Sequence, residues 1–521
     1  GWVDIHTHYD GQATWDPELD PSFSSGVTTA ILGNCGVGFA PVRNTDRQTL
    51  IELMEGVEEI PETALHEGMR WNWNTFPEFM NVLEETPRTF DIGVLIPHGA
   101  LRLYAMGERA TQDRCASAPE LQSMCGVVRE AMQAGAFGMS TSRTRGHRTA
   151  KGEMTPDYDV DKHELFSLAR TVSAAKGIFE SAPAGLSFGG EIDVLEAEMA
   201  LYEEIIEDTG VSLHFVVLQP DEDPGFWCKQ AEWAEKINRS KRGEAFALIS
   251  GRYLGAYLGF FGSHPFMDCP TFRKIKSEYP RSRWLTELAK PEVRRTLLSE
   301  PNKPGSVGEY LSSSWQNVYV VGPEAEPSSD SKLSIVAQRL GRPIIEVAYD
   351  FMVQPGDGPQ LVMVLRNYGG GNFDGLHDVL RRPGSLLSLS DAGAHVMTIC
   401  DGMQNTFMLT HWVRDRSRGP RIELAEVVRM MTLDNARAFR MHDRGQIAPG
   451  YKADLNVIDL DRLELGRPRY VHDLPAGGTR LMQSVSGYRA TIVSGVVTRE
   501  HDQATGARPG TLVRYRHSIA A

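Results

Sequence analysis

The sequence predicts an α/β fold, a (β/α)8 TIM-like barrel carrying a small β-sandwich domain, on three observations. Short apolar runs rich in Val, Ile, Phe and Leu alternate with long amphipathic stretches. That is the pattern of strands separated by helices, and so of a parallel sheet. Eight such runs occur, the number that closes a barrel. From residue 446 onward the pattern changes to short β segments between turns, with few helix signals.

The eight candidate strands are residues 2–8, 27–35, 91–97, 136–142, 177–181, 211–219, 245–250 and 385–391. An open doubly wound sheet is the competing architecture. Its phosphate-binding fingerprint is missing, because Gly33-Asn34-Cys35-Gly36-Val37-Gly38 has the wrong spacing for GxGxxG. Between the seventh and eighth runs lie a helical stretch, an apolar run at 360–365 and the turn Gly369-Gly370-Gly371-Asn372. This reads as an insertion over about 270–380 across the barrel mouth, either a substrate-recognising loop or a plain elaboration. The barrel then spans 1–445. The segment 446–521 supplies the C-terminal part of the sandwich, starting at the turn Ile447-Ala448-Pro449-Gly450.

Composition narrows the function. With 41% hydrophobic and 23% charged residues, the chain is an ordinary globular protein rather than a disordered one. A formal net charge of -14 without a strong basic run argues against a general nucleic-acid binder. Six cysteines are scattered without a CxxC pair, which suggests small buried thiols in a reducing compartment. No secretory leader and no membrane-length apolar run is present, so a cytoplasmic location and no membrane partner are expected. The chain opens on Gly1-Trp2-Val3-Asp4-Ile5, which reads as the inside of a folded element and suggests a preceding segment.

The chemistry begins at Asp4-Ile5-His6-Thr7-His8. Side chains two apart on a strand point the same way, so His6 and His8 project together as a metal clip at the end of the first strand. Cys35 ends the second strand in a Gly-rich turn and is either a thiolate ligand or a buried structural thiol. Asp391 ends the eighth strand in Ser390-Asp391-Ala392-Gly393-Ala394-His395. It is either a proton-transfer group at the barrel mouth or a turn former. His214 lies in the sixth strand, as a ligand or a satisfied core histidine, and Glu180 ends the fifth. After the fourth strand, Arg143 and Arg148 stand in a cationic, hydroxyl-rich loop, able to grip a substrate carboxylate or simply solvated. His98 and Arg102 follow the third strand.

Taken together, Asp4-Ile5-His6-Thr7-His8, Gly33-Asn34-Cys35-Gly36 and Ser390-Asp391 resemble the D-aminoacylase branch of the amidohydrolase superfamily, the N-acyl-D-amino-acid deacylases. The likeness continues through residues 135–143 and 443–455 and so covers almost the whole chain. The resemblance implies a zinc-bearing barrel with a small β-sandwich, hydrolysing the amide of an N-acyl amino acid, typically of the D series. It implies one or two zinc ions held by His6, His8, Cys35 and His214, with Asp391 as catalytic aspartate. Cys35 takes the place where many relatives carry a carboxylated lysine.

The chain departs from the family in three places. Relatives supply histidines from the fifth and sixth strands, whereas here the fifth offers Glu180 and only His214 fits the sixth. The family's first sandwich strands come from a segment before the HxH motif, and that segment is absent. The stretch from Gly251-Arg252 to His264-Pro265-Phe266 marks a distinct subgroup. The expected partner is a small N-acyl amino acid, with a homo-oligomer as the assembly. The alternatives are a cyclic amide hydrolase of the hydantoinase or dihydroorotase kind and a non-catalytic barrel scaffold.

Overall fold

The computed structural model describes residues 1–186, 191–356 and 358–515. Seven parallel strands come first: β1 (Trp2–Asp4), β2 (Val27–Leu32), β3 (Asp91–Pro97), β4 (Gly138–Ser142), β5 (Ile178–Ala182), β6 (Ser212–Val216) and β7 (Glu244–Ile249). An insertion contributes β8 (Leu254–Leu258), β9 (Val318–Val320) and β10 (Leu361–Arg366), and β11 (Ser385–Leu387) returns beside β7. The eight-stranded sheet runs β1-β2-β3-β4-β5-β6-β7-β11, with helices in the connections. The seam closes where Thr7 bridges Ala392 and the His8 N–H donates to the Ala392 carbonyl at 2.8 Å. Asn435 Nδ2 ties the two edges further, donating at 2.9 Å to both the Val3 and the Leu387 carbonyls. The barrel interior is packed with Val3, Ile5, Ile31, Leu95, Phe137 and Leu248.

The connecting helices are set by local signals. Ser117 and Glu120 form a capping box at the start of helix Ala118–Ala134, which ends on Gly135 at φ +105°. Helix α1 (Arg47–Glu58) buries Leu50, Leu53, Met54 and Val57 and stops where Glu59 turns left-handed at φ +56°. Its last residue, Glu58, is buried.

The first strand is shorter than the expected 2–8. After Asp4 the chain leaves regular pairing and curls over the barrel end, held by Thr7 N–H on the Ile31 carbonyl at 3.2 Å. The insertion builds an antiparallel sheet in the order β8-β10-β9 around its own apolar core of Leu258, Phe266, Tyr349 and Leu361. It is pinned to the loop after β11 by Tyr257 N–H on the Thr398 carbonyl at 2.8 Å.

The last part of the chain is a small β domain. Strands Leu455–Ile458, Tyr488–Val493, Val496–Glu500 and Gln503–Ala504 form one antiparallel sheet. It packs at the amino ends of β1 and β2, where Trp2 Nε1 donates to Tyr488 Oη at 3.1 Å and the Gly1 ammonium to the Asp454 carbonyl at 2.7 Å. Among the described residues, no helix is long and apolar enough to cross a membrane.

One glycine controls the approach of β2 to β3. Gly33 sits at φ +79°, and a Cβ there would lie 2.1 Å from the Leu95 carbonyl oxygen, which is backbone and cannot step aside. Gly33→Ala therefore combines a left-handed backbone with a hard clash. The expected loss is about 3 kcal/mol or more of unfolding free energy, checked by urea denaturation.

Candidate metal centre

The site forms at the carboxyl ends of the barrel strands, the end where this architecture gathers its reactive groups. His6 and His8 follow β1, and their rings lie 5.3 Å apart between centroids. Asp4 shapes this turn. Its Oδ1 accepts the His6 N–H at 3.3 Å, and its Oδ2 accepts Ser390 Oγ at 2.6 Å. Cys35 follows β2 with φ +53°, and its N–H donates to Glu180 Oε2 on β5 at 2.9 Å. Asp391 follows β11 with φ +46°. Two non-glycine residues in the left-handed region at one site mark strain that the surroundings hold in place.

These four side chains converge. Cys35 Sγ lies 3.3 Å from His6 Nε2. Asp391 Oδ1 lies 3.5 Å from His6 Nε2 and 3.8 Å from His8 Nε2. One donor atom from each of His6, His8 and Cys35 lies within 4.8 Å of the other two, and all three residues are buried. It is the one such group of three among the described residues.

Burial shapes the electrostatics. It pushes the Asp391 carboxyl up to about 8, with the charges of Asp401 and Asp4 adding to the effect. It pushes Glu180 up to about 8, against the Cys35 N–H bond that favours the anion. The Cys35 thiol is driven well up by burial and then by the neighbouring carboxylates, Glu180 first. Burial lowers His6 to about 3 and holds His8 well below its ordinary value. Within ion-pair distance, the described partners of Glu58, Glu180 and Asp391 are histidines alone, with no Lys or Arg. Buried sulfur, nitrogen and oxygen donors without a cation are what a divalent ion neutralises, and a set of two imidazoles and a thiolate suits zinc. The residues present therefore fit such an ion.

The other residues singled out in the sequence stand apart from this group. His214 lies in register with Glu180 and Phe246 on the flanking strands. Its ring packs edge-on against Phe246 and Phe439, and Nε2 lies 3.4 Å from Ser212 Oγ. It is not in the His6, His8 and Cys35 group. Arg143 is engaged by Glu198, Nε to Oε1 at 2.6 Å, with both side chains largely buried. Arg148 is exposed, with Nη1 on the Gly152 carbonyl at 2.9 Å. His98 and Arg102 share the buried Glu164 carboxylate, and His98 Nδ1 lies 2.9 Å from Thr141 Oγ1. Removing Arg143 would strand the buried Glu198 charge. Arg143→Ala is expected to cost about 3 kcal/mol of stability, read by chemical denaturation.

Four contributors were not picked out from the sequence as site residues. His147 lies in the loop after β4, with Nδ1 2.8 Å from Ser142 Oγ, close enough for its charge to depress His6 and His8. His395 follows Asp391, with Nε2 3.9 Å from Glu58 Oε2. Glu58 Oε1 lies 3.1 Å from His8 Nδ1. Arg252, buried after β7, faces Asp401 at 3.2 Å and stacks over Tyr253 and Phe407. Both histidines are visible as residue types in reactive-looking segments. Glu58 carries no local signal, since an acidic residue in an amphipathic helix ordinarily reads as solvated.

The sequence profile of the amidohydrolase family matches residues 1–499. The chain is 23% identical to a D-aminoacylase of Alcaligenes xylosoxydans xylosoxydans over 519 residues, which is 98% of this chain and 86% of that protein. Its fold is similar to a solved D-aminoacylase with a binuclear metal centre, in which one metal activates and the second attenuates. That match has a TM-score of 0.60 at 20% identity, over 99% of this chain and 88% of that one. It is also similar to an N-acyl-D-glutamate deacylase from Bordetella bronchiseptica, solved with zinc and a phosphonate mimic of the tetrahedral intermediate. There the TM-score is 0.59 at 20% identity, over the same shares of the two chains.

Proposed function

The chain belongs to the amidohydrolase family, and on that premise we propose that it hydrolyses the amide bond of N-acyl-D-amino acids, releasing a carboxylic acid and a free amino acid. The observation that carries this reading is the convergence of His6, His8 and Cys35 within 4.8 Å, with Asp391 Oδ1 at 3.5 and 3.8 Å from the two imidazoles. The D-aminoacylase and N-acyl-D-glutamate deacylase similarities support the linear substrate and its chirality.

His6, His8 and Cys35 would hold zinc, which supplies Lewis acidity toward an amide carbonyl and toward a water nucleophile. Asp391 is the proton carrier. Its Oδ1 faces both imidazoles from the barrel mouth, so it accepts the proton of the attacking water and returns it to the departing amine. Ser390 and Asp4 brace this loop from below, through the 2.6 Å bond between them. The loop after β4 places His147 beside the site, and Arg148, next to it and exposed, is a cation of that loop able to meet the substrate carboxylate. Arg143 is already engaged by Glu198. All six cysteines are free thiols, which supports a reducing, cytoplasmic setting.

The test is a panel of N-acyl-D- and N-acyl-L-amino acids, with cyclic imides as controls and zinc quantified in the same samples. Turnover of linear D-series amides by zinc-loaded protein is expected. Turnover confined to cyclic imides would overturn the reading.

A further inference from the structure

The two histidines at the end of β1 each present the same ring edge to the centre. His6 turns Nε2 toward Cys35 Sγ (3.3 Å) and Asp391 Oδ1 (3.5 Å). His8 likewise turns Nε2 toward Asp391 Oδ1 (3.8 Å). In both rings the opposite nitrogen, Nδ1, faces a glutamate. Glu180 Oε1 lies 3.9 Å from His6 Nδ1, and Glu58 Oε1 lies 3.1 Å from His8 Nδ1. The glutamates come from unrelated elements, the core of β5 and the end of α1.

We propose that Glu58 and Glu180 are positioning residues that take the Nδ1 protons of His8 and His6 and so fix both imidazoles with Nε2 aimed at the metal. The inference rests on the metal reading above. A ligating histidine needs its other nitrogen held by an acceptor, which sets the tautomer, orients the ring and raises its basicity. Here each ring has an acceptor of its own, Glu180 for His6 and Glu58 for His8. All four side chains are nearly sealed from solvent, at 0–3% exposure. Neither His6 Nδ1 nor His8 Nδ1 has an aligned hydrogen bond among the described residues, and Glu180 Oε1 is equally unsatisfied. At 3.1 Å the His8–Glu58 contact is already within bonding length but off-axis, so a small rotation completes it.

Glu58 is costly where it stands. It is buried, and it closes a helix at the carbonyl end, where the helix dipole disfavours negative charge. Its described ion-pair contacts are His8 and His395. A carboxyl kept there against both penalties is accounted for by the His8 Nδ1 that it faces at 3.1 Å. Glu180 holds a second thread, since its Oε2 accepts the Cys35 N–H at 2.9 Å. One carboxyl therefore steadies both the thiol-bearing turn and the His6 ring. Glu180 falls outside the group of mutually close donor atoms formed by His6, His8 and Cys35, which favours an orienting role over direct ligation.

Cobalt(II) titration of the purified protein tests this, with wild type, Glu58→Gln, Glu180→Gln and Glu58→Asp compared by the thiolate-to-cobalt charge-transfer band. Each Gln variant is expected to bind cobalt about 10–100-fold more weakly, with the band still present at saturation. Glu58→Asp, which keeps the charge, should recover part of the affinity. The metal-free Gln variants should melt no lower than metal-free wild type, because Gln keeps the shape and an acceptor oxygen for the Cys35 N–H while removing the cost of burying a charge. Unchanged cobalt affinity in both Gln variants overturns the proposal while leaving the metal reading intact. A wild type that binds no cobalt overturns both. Weak binding caused by lowered melting in the metal-free state also overturns it, since that is the mark of a merely structural residue.

Discussion

Asp391→Asn is expected to retain zinc and the fold while losing about 10²–10⁴-fold in kcat. The substitution is close to isosteric, and Asn tolerates the left-handed backbone that Asp391 adopts at φ +46°. His6, His8 and Cys35 stay in place to hold the ion. What disappears is the carboxylate at 3.5 and 3.8 Å from the two imidazoles, the group proposed to carry a proton from water to amine. Because the proton carrier acts in the transition state rather than in substrate binding, kcat should fall with little change in KM. Steady-state kinetics on one N-acyl-D-amino acid, with zinc quantified in parallel, checks this. Turnover near wild type would remove Asp391 from the mechanism.

Cys35→Ala should have the opposite signature, losing the metal and the activity together. The thiolate is the softest donor in the group, and the drop in zinc affinity should exceed the roughly 10–100-fold that loss of an outer partner costs. The wild-type protein at zinc 100-fold above its Kd should gain about 2.7 kcal/mol over its metal-free form, and the variant should lose that gain. Thermal unfolding with and without a chelator reads the difference. A chelator-insensitive melting curve in wild type would contradict the assignment.

Much of the architecture was legible because it rests on short-range patterning. All eight barrel strands overlap the apolar runs, with Ala182 of β5 and Glu244 of β7 each one residue outside, since a strand buried on both faces is largely apolar. The first run overshot because residues 5–8 place β-branched Ile5 and Thr7 on alternate positions yet leave the sheet, a choice made by the seam with Ala392 rather than by propensity. The HxH pair, Cys35 and Asp391 were legible as residues because each stands just past a strand, where a polar group breaks an apolar run. Glu58 was not, because nothing in α1 distinguishes a glutamate aimed at His8 from one aimed at water until tertiary packing places the helix end. His214 keeps the strand position read from the sequence, in register with Glu180, while its packing against Phe246 and Phe439 is a neighbourhood that only the closed barrel creates. Arg143 sits in the expected cationic loop, yet its partner Glu198 comes from a helix more than fifty residues on, beyond the reach of local reading.

Zinc K-edge X-ray absorption on the zinc-loaded wild-type protein addresses the shared centre itself. A sulfur neighbour at about 2.3 Å together with nitrogen or oxygen neighbours at about 2.0–2.1 Å is the expected spectrum. A first shell of nitrogen and oxygen alone, with Cys35 intact, would contradict the claim that the second strand's thiol joins the first strand's imidazoles on one ion.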